Sequence, residues 1–486
     1  MKDSRLIEIL SSFSKAEIKS FGKYINSPYV KFERDVRGLF SIVSKHYPAF
    51  QSSLPGKEKM YKALFPGEKY NSAKFANITS ELTRLAEEFL IHEYVSGDEF
   101  DSARFLALQY RNRKKEKLFD RSIRSLEKKL NELDFDSLFL FTREEKLSRL
   151  KQEYHLMRNE FDDAVTERSK YNDYFTLSFL INSFRIMKDR EQINNTYATP
   201  LQSVVFDTVV SRMDFENIFS DLRKKKYPLL WLLEMYYCCY LCARDLGDKG
   251  SFRKFQKLFY AHIDMFSRLE KYYVFGDFTS FCIMNENRGD HSYGREELEI
   301  YKQMMKYNAY KSSETDYMSL MLYRNILFLA LSLREYKWLD EFIEKYTGKL
   351  RPEYVDNMKL FSRAHLDFEK GDFESSLGHI SKVKYDFFAY KIDVKNLLLK
   401  LFYELELFEQ AYSTVDTYRQ YLKNNREMPA SYKLQFDNFL KLYSRLLKLR
   451  TNKKAGDADS ILDTVNNEKA LSARAWLKEK IEELEK

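Results

Sequence analysis

The chain has little glycine and little proline, with 14 glycines and 8 prolines in 486 residues. Both counts are less than half of the usual share in globular proteins. This scarcity excludes a chain built from many tight turns and favours long helices. Hydrophobic residues make up 44% of the chain and charged residues 32%, so enough apolar surface is available to fold, and a wholly disordered chain is excluded.

Cysteine is also rare. The chain has four cysteines, of which Cys238, Cys239 and Cys242 lie in one apolar helical stretch and Cys282 lies outside it. Cys239 and Cys242 have a Cys-x-x-Cys spacing, but the sequence lacks the second such pair that is typical of zinc sites. The expectation is therefore reduced, buried thiols in a cytoplasmic protein, with no metal site.

Long hydrophobic runs are missing as well. The most apolar run, residues 228–243, is about 16 residues long and contains Glu234, whereas a membrane-spanning helix needs about 20 apolar residues. We therefore predict a core helix here and no membrane partner. The first residues lead into a short amphipathic stretch and not into an apolar signal core, so a cytoplasmic location is the expectation.

Catalytic motifs are not found either. The seven histidines are scattered, and the sequence has no His-Glu-x-x-His pair, no phosphate-binding Gly-Lys-Ser/Thr loop and no Gly-x-Ser-x-Gly elbow. The adjacent acids Asp162 and Asp163 would point about 100° apart on a helix. The sequence therefore predicts a protein that is not an enzyme and that carries no cofactor and no metal.

The net charge of +8 comes from 81 basic and 73 acidic residues, so the excess is small and indicates nucleic acid only weakly. The most basic segment runs from Arg111 to Lys129. Two interpretations stay open for it: a solvated helix face, with Leu118, Ile123, Leu126 and Leu130 on the buried side, or a surface that contacts phosphates.

An N-terminal helical module is predicted over residues 1–96, because half of the prolines lie close to the start of the chain, at Pro28, Pro48, Pro55 and Pro66. Ser14 followed by Glu17 forms a capping-box pattern at the start of a helix. Further helices are predicted at Glu33–His46, Lys57–Phe65 and Ser72–Val95 from apolar residues at helical spacing.

Helical periodicity continues over residues 97–450, for which we predict a helical-repeat array. Its first helices are predicted at Leu106–Leu133, Ser137–Met157 and Phe161–Lys188. The small and polar residues 451–460 predict a flexible linker. A C-terminal capping helix is predicted within residues 461–486, where Trp476, Leu477, Ile481 and Leu484 share one face.

A short phrase recurs along the array, with an aromatic residue followed by a small residue three positions later. Phe373 with Ser376 and Phe408 with Ala411 are the clearest cases, and the intervals from Tyr336 to Phe373 and on to Phe408 are 37 and 35 residues. Phe161 with Ala164 has the same pattern, and Ala364 matches a small position in a preceding helix. In these features the chain resembles the tetratricopeptide family, whose units of about 34 residues are pairs of antiparallel helices.

The resemblance implies an all-α fold, a right-handed solenoid of antiparallel helical hairpins with the N-terminal module ahead of it. Another irregular helical array and a compact helical bundle are the alternatives. A solenoid leaves a concave groove open along its length. The function that follows is a non-catalytic protein-interaction scaffold or adaptor that binds a peptide or protein partner in this groove.

The N-terminal module carries a second resemblance. Lys57–Glu68, with its Leu-Phe-Pro-Gly ending, and the helix that follows resemble the helix-turn-helix core of bacterial winged-helix transcriptional activators. This resemblance implies that Lys74, Asn77 and Arg84 would contact DNA. The alternative function is therefore a DNA-binding transcriptional regulator whose repeat array senses a partner. The competing interpretations of the module are a helical cap on the solenoid and a partner-binding module.

Overall fold

The structure is a computed structural model, and it describes residues 4–34, 36–132, 134–135, 139–196, 201–384, 388–425, 428–451 and 458–484. The chain divides into two compact units, Met1–Leu180 and Ile181–Lys486. Helices make up nearly all of the regular structure, and none of the residues in these ranges forms a β-strand. The predicted all-α class is confirmed.

The N-terminal helices enclose a hydrophobic core of their own. They are α1 (Arg5–Ser12), α2 (Lys15–Ile25), α3 (Arg37–Ser44), α4 (Phe50–Ser53), α5 (Lys57–Leu64) and α6 (Ser72–Gly97). Helices α1, α2 and α3 each pack against α6. Phe21 lies at the centre of this core, with its ring centroid 5.1 Å from that of Phe40 and 5.4 Å from that of Phe89. The predicted capping box of Ser14 and Glu17 is present at the start of α2.

Two helices, α7 (Glu99–Asn112) and α8 (Glu116–Glu132), occupy the stretch where the sequence predicts one helix from Leu106. That prediction was wrong because the chain turns at Lys114, which adopts a left-handed φ of 55°. The N–H of Lys115 then bonds the carbonyl of Tyr110 at 2.9 Å and closes α7. The apolar spacing continues on both sides of this turn, so periodicity alone does not reveal it.

The two helices predicted next are present as α9 (Leu140–Met157) and α10 (Phe161–Thr196). The predicted start of the first of them, residues 137 and 138, lies outside the described residues. The boundary between the two compact units falls within α10.

The second unit continues as a succession of helices. The first of them are α11 (Val204–Val210), α12 (Phe215–Lys224), α13 (Leu230–Arg244), α14 (Lys249–Ala261), α15 (Arg268–Asn287) and α16 (Gly294–Lys306). The remainder are α17 (Leu320–Ser332), α18 (Tyr336–Tyr346), α19 (Pro352–Glu369), α20 (Phe373–Ile380), α21 (Phe388–Glu404), α22 (Phe408–Asn424), α23 (Ala430–Thr451), α24 (Ala458–Asn467) and α25 (Arg474–Leu484).

The recurring aromatic residues mark helix starts, as the sequence predicts. Tyr336, Phe373 and Phe408 are the first residues of α18, α20 and α22. Two residues before each of them the backbone adopts a left-handed conformation, at Arg334, Gly371 and Glu406. The next N–H then bonds back across the turn, from Asp372 to the carbonyl of Asp367 at 2.9 Å in the middle case. Each preceding helix therefore ends in the same hydrogen-bonded turn.

Neighbouring helices in this region pack in pairs. Helix α17 packs on α18, α19 on α20 and α21 on α22, and α19 also packs on both α17 and α21. The small positions lie inside these contacts: Ala411 is fully buried, and Ser376 Oγ donates to the carbonyl of Ala364 at 2.6 Å. The small residue therefore allows α20 to approach α19 to hydrogen-bond distance.

The C-terminal end differs in detail from its prediction. The predicted linker 451–460 lies mostly outside the described residues, although 458–460 belong to α24. Two helices, α24 and α25, stand where one capping helix is predicted, because the chain turns at Ala473 with φ 53°. Trp476, Leu477 and Ile481 are buried as expected.

The apolar segment with the cysteines forms α13, and the thiols of Cys238, Cys239, Cys242 and Cys282 are free and buried. Burial raises the pKa of Cys238 to about 11, so this thiol stays protonated and unreactive at neutral pH. Among the helices of the described ranges, none has the length and apolar character needed to cross a membrane.

Candidate functional site

A groove of about 870 Å³ runs along α17, α19 and α21 in the second unit, and α25 forms one of its sides. We call it the C-terminal groove. Its three long helices are the first members of consecutive helix pairs, and α19 packs between the other two. Because neighbouring helices lie side by side, residues far apart in sequence meet at this surface. The volume is within the range of ligand-binding clefts.

A buried ion pair lies in the C-terminal groove. Arg324 of α17 donates from Nε and Nη2 to the two carboxylate oxygens of Asp393 on α21, at 2.5 and 2.8 Å. The guanidinium also lies 4.8 Å from the ring centroid of Phe328. This two-point contact fixes the side-chain geometry across two helices.

Lys400 of α21 provides a second cation in the groove. Burial lowers the pKa of Lys400 below its usual range, although three nearby glutamates act in the opposite direction. Its Nζ lies 5.5 Å from the ring centroid of Phe368, and it forms no ion pair or hydrogen bond with the described part of the chain. The ammonium group of Lys400 is therefore available to an incoming anion or carbonyl group.

His365 of α19 lies between aromatic rings, 4.5 Å from the ring of Phe361 and 5.0 Å from that of Phe328. Its Nε2 is buried and has no hydrogen-bond partner among the described residues. Burial, together with the positive charges of Lys400 and Arg324, lowers the pKa of His365 to about 3. The imidazole is consequently neutral at physiological pH and can accept or donate one hydrogen bond.

The lowered pKa of His365 predicts a specific loss of stability in acid. An unfolded histidine titrates near pH 6.5, so the folded chain binds this proton less readily than the unfolded chain. The contribution of neutral His365 to the free energy of unfolding is fully present above about pH 6.5 and declines as the pH falls towards 3. Between pH 7 and pH 5 we expect about 2 kcal/mol of this contribution to be lost. Urea unfolding at both pH values measures it.

The matched variant is His365→Leu, whose free energy of unfolding should fall by about 2 kcal/mol less than that of the wild type between the two pH values. His92→Leu, at an exposed histidine, should keep the wild-type dependence. An equal pH dependence in wild type and His365→Leu would mean that His365 is protonated in the folded chain without cost.

The side of the groove formed by α25 is held firmly. Trp476 Nε1 donates to Glu404 at 2.8 Å, and Lys480 Nζ lies 3.2 Å from the same carboxylate. Burial alone would lower the pKa of Lys480, but the hydrogen bond to Glu483 and the charge of Glu404 raise it above the usual range. The Trp476 ring also packs edge-on against Tyr403 at 5.3 Å. These contacts fix α25 against α21.

The DNA-contact residues suggested by the sequence lie on α6 in the first unit, and two of them are engaged with acids. Lys74 Nζ bonds both oxygens of Glu68 at 2.9 and 3.0 Å. Arg84 pairs with Glu88 and also donates to the carbonyl of Lys31 at 3.3 Å. Asn77 lines a shallow depression beside Arg84. Their role in DNA contact stays a prediction, and the geometry adds nothing in its favour.

The sequence predicted a groove but not the residues that line it, although one signal was present. Lys400 interrupts the apolar run Leu397–Phe402, and a lysine among residues that must face a core is a candidate for function. No comparable signal marks His365, whose surroundings come from three helices.

A cluster of metal-ligating side chains also occurs among the described residues. His155, Glu160 and Asp163 place their ligand atoms within 4.8 Å of one another at the turn between α9 and α10. Glu160 already accepts contacts from His155 Nδ1 at 2.7 Å and from Arg158 Nε at 3.0 Å. The guanidinium charge opposes a bound cation, so we assign no metal centre here.

No protein-family model matches this chain, and neither the curated proteins nor the solved structures give a significant match.

Proposed function

We propose that the protein is a non-catalytic interaction scaffold that binds a peptide segment of a partner protein in the C-terminal groove. The observation that carries the proposal is the unpaired ammonium group of Lys400, which lies in a groove lined by aromatic rings. A buried cation without a partner costs free energy. A ligand that supplies the missing partner recovers this cost on binding.

The character of the groove favours a peptide. Phe328, Phe368 and Phe373 offer apolar surface, while His365 and Lys400 offer polar contacts at fixed positions. A peptide presents both kinds of group along one chain, and its side-chain or terminal carboxylate can pair with Lys400. Most other charges of the groove are already paired, as in Arg324 with Asp393, so we expect one acidic group to be recognised.

The helix pairs support the same proposal at the level of architecture. We propose that they form the right-handed solenoid of antiparallel hairpins that the sequence suggests. In such an array the first helices of successive units line the concave surface. The packing of α17, α19 and α21 beside one another is what this arrangement requires.

A display library of random 12-residue peptides, selected on the immobilised full-length protein, tests the proposal. We expect enriched peptides to bind the wild type and to bind Lys400→Met at least tenfold more weakly. Lys395→Met is the matched control, because Lys395 lies on the same helix and faces Thr417 and Tyr418. It should change affinity less than twofold in fluorescence-anisotropy titrations.

A second variant tests whether the peptide needs access to the groove itself, in addition to the charge of Lys400. Ser332→Trp places a large side chain at an exposed residue of the groove lining and should also block the selected peptides. Circular dichroism melting checks that each variant is folded. If no peptide is enriched, or if enriched peptides bind both groove variants as tightly as the wild type, the groove is not the binding site.

A further inference from the structure

One short segment holds a large part of the net positive charge of this chain. Residues 111–132 contain nine cationic and four acidic side chains, a surplus of five, whereas the whole chain has a surplus of eight. The segment spans the turn between α7 and α8 and all of α8. It is the basic segment whose sequence is compatible with either a solvated helix face or a surface that contacts phosphates.

Helix α8 sorts its side chains into two faces. Lys117, Arg121, Arg124 and Lys128 follow the spacing i, i+4, i+7 and i+11, and all of them are exposed. We call these four residues the basic ridge. The opposite face is buried and consists of Phe119, Ile123, Leu126 and Leu130. Leu118, predicted to be buried, is 39% exposed because Phe119 takes the inward position.

The cations of the basic ridge are largely unneutralised. Lys117, Arg121 and Arg124 form no ion pair with any described residue, and Lys128 reaches only Glu132, at 3.7 Å.

Other charges of the same segment are paired with neighbouring helices. Arg111 pairs with Glu153, and Lys129 with Glu99. The acid Glu127 contacts Lys151 at 2.8 Å. The structure therefore neutralises the side of the segment that faces other helices and leaves the ridge positive.

Helix stability does not explain this arrangement. The N-terminal end of a helix carries a partial positive charge, so cations are unfavourable there. Lys117 lies in the first turn of α8, and the exposed residues Arg113, Lys114 and Lys115 precede the helix, so the acid Glu116 at its first residue is outnumbered by cations. Like charges four residues apart also repel one another along the ridge. A bound polyanion would convert these unfavourable terms into favourable contacts.

We infer that the basic ridge binds the phosphate backbone of duplex nucleic acid without reading its sequence. The ridge extends about 16 Å along α8, and a duplex carries about one phosphate charge per 1.7 Å of its axis. Arg121 and Arg124 can each bond a phosphate through two N–H groups. Among the described residues of α8, Leu118 is the one large apolar side chain that is exposed. Insertion of this helix into a membrane is therefore disfavoured.

Fluorescence anisotropy with a labelled 20-base-pair duplex DNA of mixed sequence tests the inference, with full-length protein at 50 to 200 mM KCl. The ridge variant is Lys117→Glu/Arg121→Glu/Arg124→Glu. We expect it to bind at least tenfold more weakly at 100 mM KCl. We also expect its slope of log Kd against log salt to be smaller by about 2 to 3, because each phosphate contact contributes about 0.9.

The control carries the same change of charge on another helix of the same unit. Lys15, Lys19 and Lys23 are exposed on α2 at helical spacing, and Lys15→Glu/Lys19→Glu/Lys23→Glu should change affinity less than twofold. An equal loss in both triple variants would mean that net charge alone is sensed, and it would overturn the inference. Melting curves establish that both variants are folded.

Two further measurements distinguish duplex binding by the basic ridge from membrane binding and from duplex binding by α6. Vesicles of phosphatidylcholine and phosphatidylserine in equal amounts should bind more weakly than the duplex, and ridge-dependent binding to these vesicles without duplex binding would replace nucleic acid by a membrane surface. Lys74→Glu/Arg84→Glu should retain duplex binding. If that variant loses binding while the ridge variant keeps it, the contact lies on α6 and the inference fails. Peptide binding in the C-terminal groove is unaffected by either result.

Discussion

Replacing Arg324 by methionine is expected to lower the free energy of unfolding by about 3 to 5 kcal/mol, the usual cost of leaving one member of a buried ion pair alone. Asp393 is the member left behind, and its side chain is only 10% exposed. Methionine keeps most of the side-chain volume and removes the charge. The carboxylate then has no cation to replace the water that it loses on folding, so the main cost is electrostatic.

Urea unfolding at pH 7 measures the loss, and a double variant isolates its cause. Arg324→Met/Asp393→Leu removes both charges and should unfold within about 1.5 kcal/mol of the wild type, because apolar replacements of buried ion pairs are often nearly neutral. Arg419→Met is the matched control at an exposed pair, in which the side chains of Arg419 and Asp416 are 47% and 81% exposed. It should cost less than about 1 kcal/mol.

Two results would contradict this account. A small loss in Arg324→Met would mean that water reaches Asp393 in the groove. A double variant as unstable as Arg324→Met would mean that packing of the arginine stem on Phe328, and not charge, stabilises the contact. A lower pH provides a further check, because protonation of the orphaned carboxylate at pH 5 should reduce the cost.

The turns between helices show what sequence could predict. Where an aromatic residue follows the turn, as at Phe373 and Phe408, the pattern located the helix start correctly. At Lys114, Lys226 and Gly289 the same left-handed backbone conformation occurs without that aromatic residue. The backbone hydrogen bonds of the turn do not depend on these side chains. At these three turns the sequence pattern is therefore absent although the turn is present.

The residues that meet in the C-terminal groove could not be predicted for a different reason. Arg324 and Asp393 are 69 residues apart, and Glu404 and Trp476 are 72 residues apart. A contact between residues so far apart in the sequence depends on how the helices pack, and the local spacing of residues contains no information about it. Helices and one class of turn could therefore be predicted from local patterns, whereas the meeting of charges from α17, α21 and α25 required the structure.

The N-terminal module illustrates how local resemblance and tertiary contacts can differ. Lys74 and Arg84 have the residue types that DNA-contacting helices use. In the structure their charges are directed to Glu68 and Glu88. The basic ridge on α8 lacks any motif, yet Lys117, Arg121 and Arg124 form no ion pair with any described residue. Pairing in space, and not residue type alone, decides which surface is available to an anion.

Replacing Ala411 by glutamate is expected to lower the free energy of unfolding of the second unit by about 2 to 4 kcal/mol. Ala411 is fully buried near the start of α22, which packs on α21. The equivalent residue of α20, Ser376, lies close enough to α19 to bond the carbonyl of Ala364. A contact as close as that has no room for a carboxylate, so the side chain must lose its water or force the helices apart. Thermal and urea unfolding, followed by circular dichroism, measure the loss.

Two substitutions make the Ala411 result specific. Ser413→Glu adds the same charge at an exposed residue of the same helix and should change stability by less than about 0.5 kcal/mol. Ala411→Ser keeps the residue small, as Ser376 is in α20, and should cost much less than glutamate because its hydroxyl can bond a carbonyl of the neighbouring helix. If Ala411→Glu and Ser413→Glu unfold alike, then α22 does not require a small residue at this contact. The recurring small position would then have no role in packing the pairs.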